Sequence, residues 1–182
     1  MYDVTIIVPS KGWLHYLKQT VSHLSCLESF VKYRVLVVDY GCPDSTFEWI
    51  KEQNLPNIHC IKVKDDIEKF NLSRCRNIGI KHANSKFVAF LDGDVIPPKN
   101  YINKALTFMA AKDCNYVSYA SNSEKAKHLE YGTYTLEPLC DYGFRDSTIC
   151  PEDWKYWIIS SILSKDACDK ILGFDEGFKN WS

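Results

Sequence analysis

Three short apolar runs dominate this chain: Thr5-Ile6-Ile7-Val8, Val35-Leu36-Val37-Val38 and Phe87-Val88-Ala89-Phe90-Leu91. They read as strands covered on both faces rather than as one-sided strands, whose polar and apolar residues alternate. The expected strands run Val4–Val8, closed by Pro9; Arg34–Asp39, closed by Gly41, Pro43 and Asp44; Ile58–Val63; and Lys86–Leu91. Helical spacing fills the gaps. Trp13, Leu17, Val21 and Leu24 form one apolar face, widened by Leu14 and Leu27. Asp44-Ser45 stands where an N-cap would, before Thr46-Phe47-Glu48-Trp49-Ile50, and Ser73 is expected to cap a helix reaching about Ala83. Pro97-Pro98 precedes a further helix from about Asn100 to Ala111.

Strand–helix alternation at this spacing predicts an α/β fold, a mostly parallel central sheet with helices on both faces. Ligands of such sheets bind beyond the carboxyl ends of the strands. Three strands end in polar groups there: Ser10 with Lys11, Asp39, and Asp92 with Asp94. After about residue 120 the rhythm changes. Residues 121–151 are polar and aromatic, with a short hairpin expected near Tyr131–Leu139, then a strand at Trp157–Leu163 and a short helix at Lys165–Leu172 ended by Gly173. No repeat or linker divides the chain. It reads as one domain, 1–182, with a site-bearing part, 1–120, and a second part, 121–182.

Composition narrows the class. Twenty-two Lys and Arg against 23 Asp and Glu leave a net charge of -1, with no global pull toward nucleic acid or an acidic membrane. No apolar run approaches the roughly 18 residues that span a bilayer, and no signal-peptide pattern precedes the first strand. The expected location is cytoplasmic, or peripheral at the inner membrane face. The 8 cysteines form no C-x-x-C, so reduced thiols are expected. Asn71-Leu72-Ser73 and Asn180-Trp181-Ser182 fit the glycosylation pattern by chance in that setting.

Asp92-Gly93-Asp94 is the sharpest chemical signal. Hard divalent cations take oxygen ligands, and Mg²⁺ sites combine one or two carboxylates with substrate phosphates. Gly93 would let the backbone approach a bulky ligand. The alternative is a plain turn with capping acids. Asp39 can accept a hydrogen bond from a base or ribose donor, or cap its own loop. Arg74, Arg76 and Asn77 open the helix before the acidic strand, where an Arg can clamp phosphate or form a surface ion pair. Gly79 suggests close packing beneath the site. Neither G-x-x-x-x-G-K-[ST] nor G-x-G-x-x-G occurs. The histidines are scattered, and the aromatics Trp154, Tyr156, Trp157, Phe174, Phe178 and Trp181 suit either sugar faces or core packing.

Together these elements resemble the inverting glycosyltransferases of family 2, with the nucleotide-diphospho-sugar fold called GT-A. Thr5-Ile6-Ile7-Val8-Pro9-Ser10 looks like the first strand and nucleotide-facing loop. Val37-Val38-Asp39-Tyr40-Gly41-Cys42-Pro43-Asp44-Ser45-Thr46 resembles V-V-D-D-G-S-x-D-x-T, and Arg76-Asn77-Ile78-Gly79 matches R-N-x-G. Phe90-Leu91-Asp92-Gly93-Asp94 matches F-L-D-x-D, the DXD element, and Gly173-Phe174-Asp175-Glu176 matches G-F-D-E. The resemblance implies a metal-dependent, inverting transfer of a sugar from a nucleotide diphosphate, UDP by first choice, to an acceptor hydroxyl such as a saccharide's. Pro9, Ser10, Lys11, Asp39, Arg76, Asp92 and Gly93 would line the donor. Asp39 would face the base, and Arg76 would lie near the diphosphate or brace the acidic loop. Asp94, with Asp92, would hold Mn²⁺ or Mg²⁺. The family's base lies in an acidic pair beyond G-F-D-E, so it is expected beyond Ser182, in a longer chain. Asp175 and Glu176 are the nearest candidates, and 121–182 would be an incomplete acceptor side. Tyr40 and Cys42 depart from the family's aspartate and serine, which touches the base contact. The alternatives are a non-catalytic GT-A binding domain and a sugar-phosphate nucleotidyltransferase.

Overall fold

The structure, a computed structural model, describes residues 1–63, 69–122, 136–138 and 156–177. Seven strands form one sheet in the order β3-β2-β1-β4-β7-β5-β6. The strands are β1 (Tyr2–Ser10), β2 (Tyr33–Asp39), β3 (Ile58–Lys62), β4 (Ser85–Leu91), β5 (Tyr116–Asn122), β6 (Leu136–Pro138) and β7 (Tyr156–Ser164). The helices are α1 (Leu14–Leu24), α2 (Thr46–Gln53), α3 (Leu72–His82), α4 (Tyr101–Lys112) and α5 (Lys165–Lys170).

The parallel half is β3-β2-β1-β4, the half-exposed edge strand β3 beside the three apolar runs. Their continuity has the expected cause. Val4, Ile6 and Val8 join one core with Leu17, Val21, Ile50, Ile102 and Ala105, hence with α1, α2 and α4. Ile7, Val38, Val88 and Phe90 join a second core with Cys75, Ile80 and Cys168, hence with α3 and α5. Each buried Val, Leu or Ile contributes about 1.5–3 kcal/mol. Near residue 120 the pairing changes sense. β7 returns antiparallel beside β4, with Leu91 opposite Ser160, and β5 and β6 follow antiparallel. The fold is thus α/β with a mixed sheet, parallel through four strands and antiparallel beyond β4. Ser160 ties the halves, donating to the Phe90 carbonyl at 2.8 Å and pairing with the buried Tyr101 hydroxyl.

Three local expectations change. Asn71, not Ser73, caps α3: its backbone is extended and its Oδ1 accepts the Arg74 N–H at 2.9 Å. Ser45 holds the cap position of α2 without a side-chain cap bond. Asp44 instead accepts the Leu14 N–H at 2.9 Å through Oδ2, capping α1, and the Thr46 hydroxyl at 2.7 Å through Oδ1. α5 stops at Lys170 because Leu172 and Gly173 turn left-handed, with φ of 59° and 81°.

Within the expected hairpin, β6 covers Leu136–Pro138 and the other residues lie outside those described. Trp154, Phe178, Trp181, Cys140, Cys150 and the second sequon also lie outside them. Among the described residues no helix is long and apolar enough to cross a membrane.

Candidate functional site

The carboxyl ends of β1, β2 and β4 form one rim, because parallel pairing brings like ends together. Ser10 stands opposite Asp39 in the β1–β2 register, and Ile7 opposite Phe90 in the β1–β4 register, so Asp92 emerges beside the end of β1. Pro9, Ser10, Lys11, Asp39, Asp92, Gly93 and Asp94 therefore share this edge, and Arg76 reaches it from α3.

Asp39 is 1% exposed, and its Oδ1 accepts the Cys42 N–H at 2.7 Å. One of its two oxygens thus caps its own loop. The Cys42 thiol donates to Ser10 Oγ at 3.6 Å, and burial pushes that thiol's pKa up. The Ser10 carbonyl accepts the Tyr40 N–H at 2.9 Å. Tyr40 points into the second core, edge-on to Phe70 at 5.7 Å between centroids, with the Lys11 ammonium 5.8 Å from its ring. The side chain that replaces the family's second aspartate is therefore a core aromatic.

The acidic loop is more open. Asp94 is exposed, and the Asp92 side chain is 41% exposed, 3.2 Å from Arg76 Nη2. Desolvation raises the Asp92 carboxyl above its usual value; the Arg76 guanidinium opposes this and the neighbouring Asp94 charge adds to it. Arg76 thus contacts the acidic loop, the geometry expected of a brace. Its guanidinium lies 5.3 Å from the Phe174 ring and 5.9 Å from that of Phe90, and its buried Nε has no hydrogen-bond partner among the described residues.

Two glycines near the site differ in what surrounds them. A Cβ on Gly79 would lie 2.4 Å from Ile7 Cγ2, the close approach expected beneath the site. A Cβ on Gly93 would meet the Pro9 carbonyl at 3.4 Å and Leu17 Cδ1 at 3.6 Å, ordinary van der Waals contact.

Asp175 and Glu176 are engaged in structure. Asp175 Oδ1 accepts the Gly177 N–H at 2.8 Å, closing a turn, and Glu176 Oε1 accepts from Asn77 Nδ2 at 2.9 Å. The sequence reading assigned Asn77 no contact of its own, and its partners lie about a hundred residues away, so no local pattern reveals them. Asp44 was read as a cap for the wrong helix for the same reason.

Among the described residues no three His, Cys, Asp or Glu side chains gather as a metal cluster. The donor set at the rim is two adjacent carboxylates, one exposed and one half-exposed beside an arginine. That set fits Mg²⁺ or Mn²⁺ when phosphate oxygens complete the shell.

The sequence model of the family described as Glycosyl transferase family 2 matches residues 5–172. The chain belongs to this family. A pre-mycofactocin glycosyltransferase of Mycobacterium tuberculosis is 26% identical over 184 aligned residues, covering 96% of this family-2 chain and 36% of the relative. The chain thus spans about a third of that relative's length. Among solved structures, S. aureus TarS 1-349 in complex with UDP superimposes with a TM-score of 0.67 at 16% identity, over 98% of this chain and 52% of that one. The mannosyltransferase PcManGT of Pyrobaculum calidifontis, in complex with GDP-Man and Mn²⁺, gives 0.66 at 14% identity, over 97% and 50%. These likenesses establish the GT-A fold.

Proposed function

We propose that this family-2 chain binds a nucleotide-diphosphate sugar at the β1–β2–β4 rim and transfers the sugar to an acceptor hydroxyl with inversion. The observation that carries the reading is the Asp92-Gly93-Asp94 loop, whose two carboxylates sit at the strand end beside the Ser10–Asp39 pair. UDP is the favoured nucleotide, supported by the UDP complex of TarS. Asp39, through the oxygen not bonded to Cys42, faces the base. Lys11 and Arg76 supply positive charge toward the diphosphate, and Arg76 keeps Asp92 in place. Asp94, with Asp92, would hold Mn²⁺ or Mg²⁺, which when bound neutralises charge on the departing nucleotide diphosphate.

In the reaction the acceptor oxygen bonds to the anomeric carbon as the bond to the diphosphate oxygen breaks. The acceptor proton passes to a general base, a group worth about 10²–10⁴-fold in rate. Asp175 and Glu176 hold structural bonds, so the base is assigned outside the described residues. That same occupation supports a second reading, a GT-A domain that binds donor without turnover.

One experiment separates these readings. Thermal shifts and calorimetry with UDP, GDP and CDP, with and without Mn²⁺, report donor binding, because a ligand of the native state raises apparent stability. Release of nucleotide diphosphate that depends on an acceptor reports transfer. UDP stabilisation only with Mn²⁺, together with acceptor-dependent release, supports the enzyme. Stabilisation without release supports the binding domain, and no stabilisation by any nucleotide overturns both.

A further inference from the structure

The segment after α5 meets the middle of the chain at one side chain. Asn77 Oδ1 accepts the Phe174 N–H at 2.8 Å, and Asn77 Nδ2 donates to the Phe174 carbonyl at 2.8 Å and to Glu176 Oε1 at 2.9 Å. Nearer the start of α3, Asn71 Nδ2 donates to the Glu176 carbonyl at 2.9 Å. An amide that pairs both backbone groups of one residue holds the loop in a single register, as a strand partner would. Gly173 completes the seat. A Cβ there would stand 2.5 Å from Asn77 Oδ1, on a backbone with φ of 81°.

What is held in register is the Phe174 ring. It packs edge-on against Phe90 at 5.0 Å, and both rings lie beside the Arg76 guanidinium that reaches Asp92. The contacts run without a gap from Asn77 to Phe174, to Arg76, to Asp92.

We propose that Asn77 is a positioning residue that joins the Gly173–Gly177 segment to the acidic loop after β4. By fixing Phe174 it fixes Arg76, and through Arg76 it sets the carboxylate of Asp92. The role at Asp92 rests on the donor reading above. Coupling of this kind is reciprocal: whatever tightens the acidic loop tightens residues 173–177.

The test compares the whole 182-residue chain with Asn77→Asp and with Asn77→Asp paired with Glu176→Gln. The first variant removes both Nδ2 donations at nearly constant shape; the pair restores one bond with donor and acceptor exchanged. Three readouts are taken: hydrogen exchange of residues 173–177 relative to β4, the NMR position of the Arg76 Nε–H beside the two rings, and UDP affinity in Mn²⁺. The single variant should speed exchange about tenfold, shift the Arg76 resonance and weaken UDP binding several-fold. The paired variant should recover part of each. Should Asn77→Asp fold poorly, Asn77→Ala, favourable within a helix, carries the same readouts.

Faster exchange with an unmoved Arg76 resonance would leave Asn77 as a loop peg and overturn the proposal, as would unchanged exchange. A parent chain that binds no UDP in Mn²⁺ sinks the donor reading instead. Exchange and the Arg76 resonance still decide the latch.

Discussion

Two loops leave the same rim and are built in opposite ways. The loop after β2 closes on itself: Asp39 is 1% exposed and bonded to Cys42, Tyr40 is core, and Asp44 binds both Leu14 and Thr46. The loop after β4 opens outward: Asp94 is exposed, and Asp92 keeps its charge half in solvent beside Arg76. An acid whose bonds lie within the chain holds shape. An acid left at the surface beside another acid costs electrostatic energy until a cation arrives. The same residue type at two strand ends therefore separates into an acid bound within its own loop and an acid left open at the surface, and only the contacts tell which is which.

The largest effect expected from this contrast is at Asp94. Asp94→Ala should weaken UDP binding in Mn²⁺ by about 100-fold and leave metal-free binding and thermal stability almost unchanged; calorimetry and a melting curve check both halves. Asp39→Ala should do the reverse on stability. It leaves the Cys42 N–H without its acceptor, a loss of about 1–3 kcal/mol, visible in urea unfolding. If both substitutions acted on stability alike, the contrast would fail.

A milder probe is Asp39→Asn, whose Oδ1 can still accept from Cys42. Stability should hold, while discrimination among UDP, GDP and CDP falls in parallel calorimetric titrations. Unchanged preference would make Asp39 a cap and nothing more.

The smallest effect concerns the far end of the acidic loop, where His23 Nε2 bonds to the Pro97 carbonyl at 2.6 Å. Burial lowers the His23 pKa below 6.5; the Pro97 bond opposes this and Lys99 adds to it. A lowered imidazole favours the neutral form in the folded state. Its contribution is therefore full above 6.5 and is lost as the pH falls from 6.5 through the folded value. His23→Gln should flatten that part of the stability–pH curve, and an unaltered curve would assign the dependence elsewhere.

The parallel half was legible because burial on both faces leaves unbroken apolar runs, such as Val35–Val38, that few other folds demand. The rim residues followed from strand ends alone. β7 was legible as a strand, but its antiparallel place beside β4 was not, since pairing sense lies in partners far along the chain. Asp44 and Ser73 were misread for a related reason. Several polar residues stood near each helix start, and the choice among them depends on backbone angles and on which neighbouring helix comes within reach. Arg76 carried two possible roles because a guanidinium's partner is invisible until Phe90, Phe174 and Asp92 are assembled around it.

The double grip of Asp44 bears on how such a chain can be re-engineered. One side chain accepts the first N–H of α1 and the hydroxyl that opens α2, so the loops after β1 and β2 travel together. A library that randomised Asp44 to broaden the nucleotide would loosen the starts of two helices at once, at about 0.5–2 kcal/mol for the lost cap of α1. Holding Asp44 and Thr46 constant while varying Lys11 and Cys42 keeps the frame and changes only what it presents.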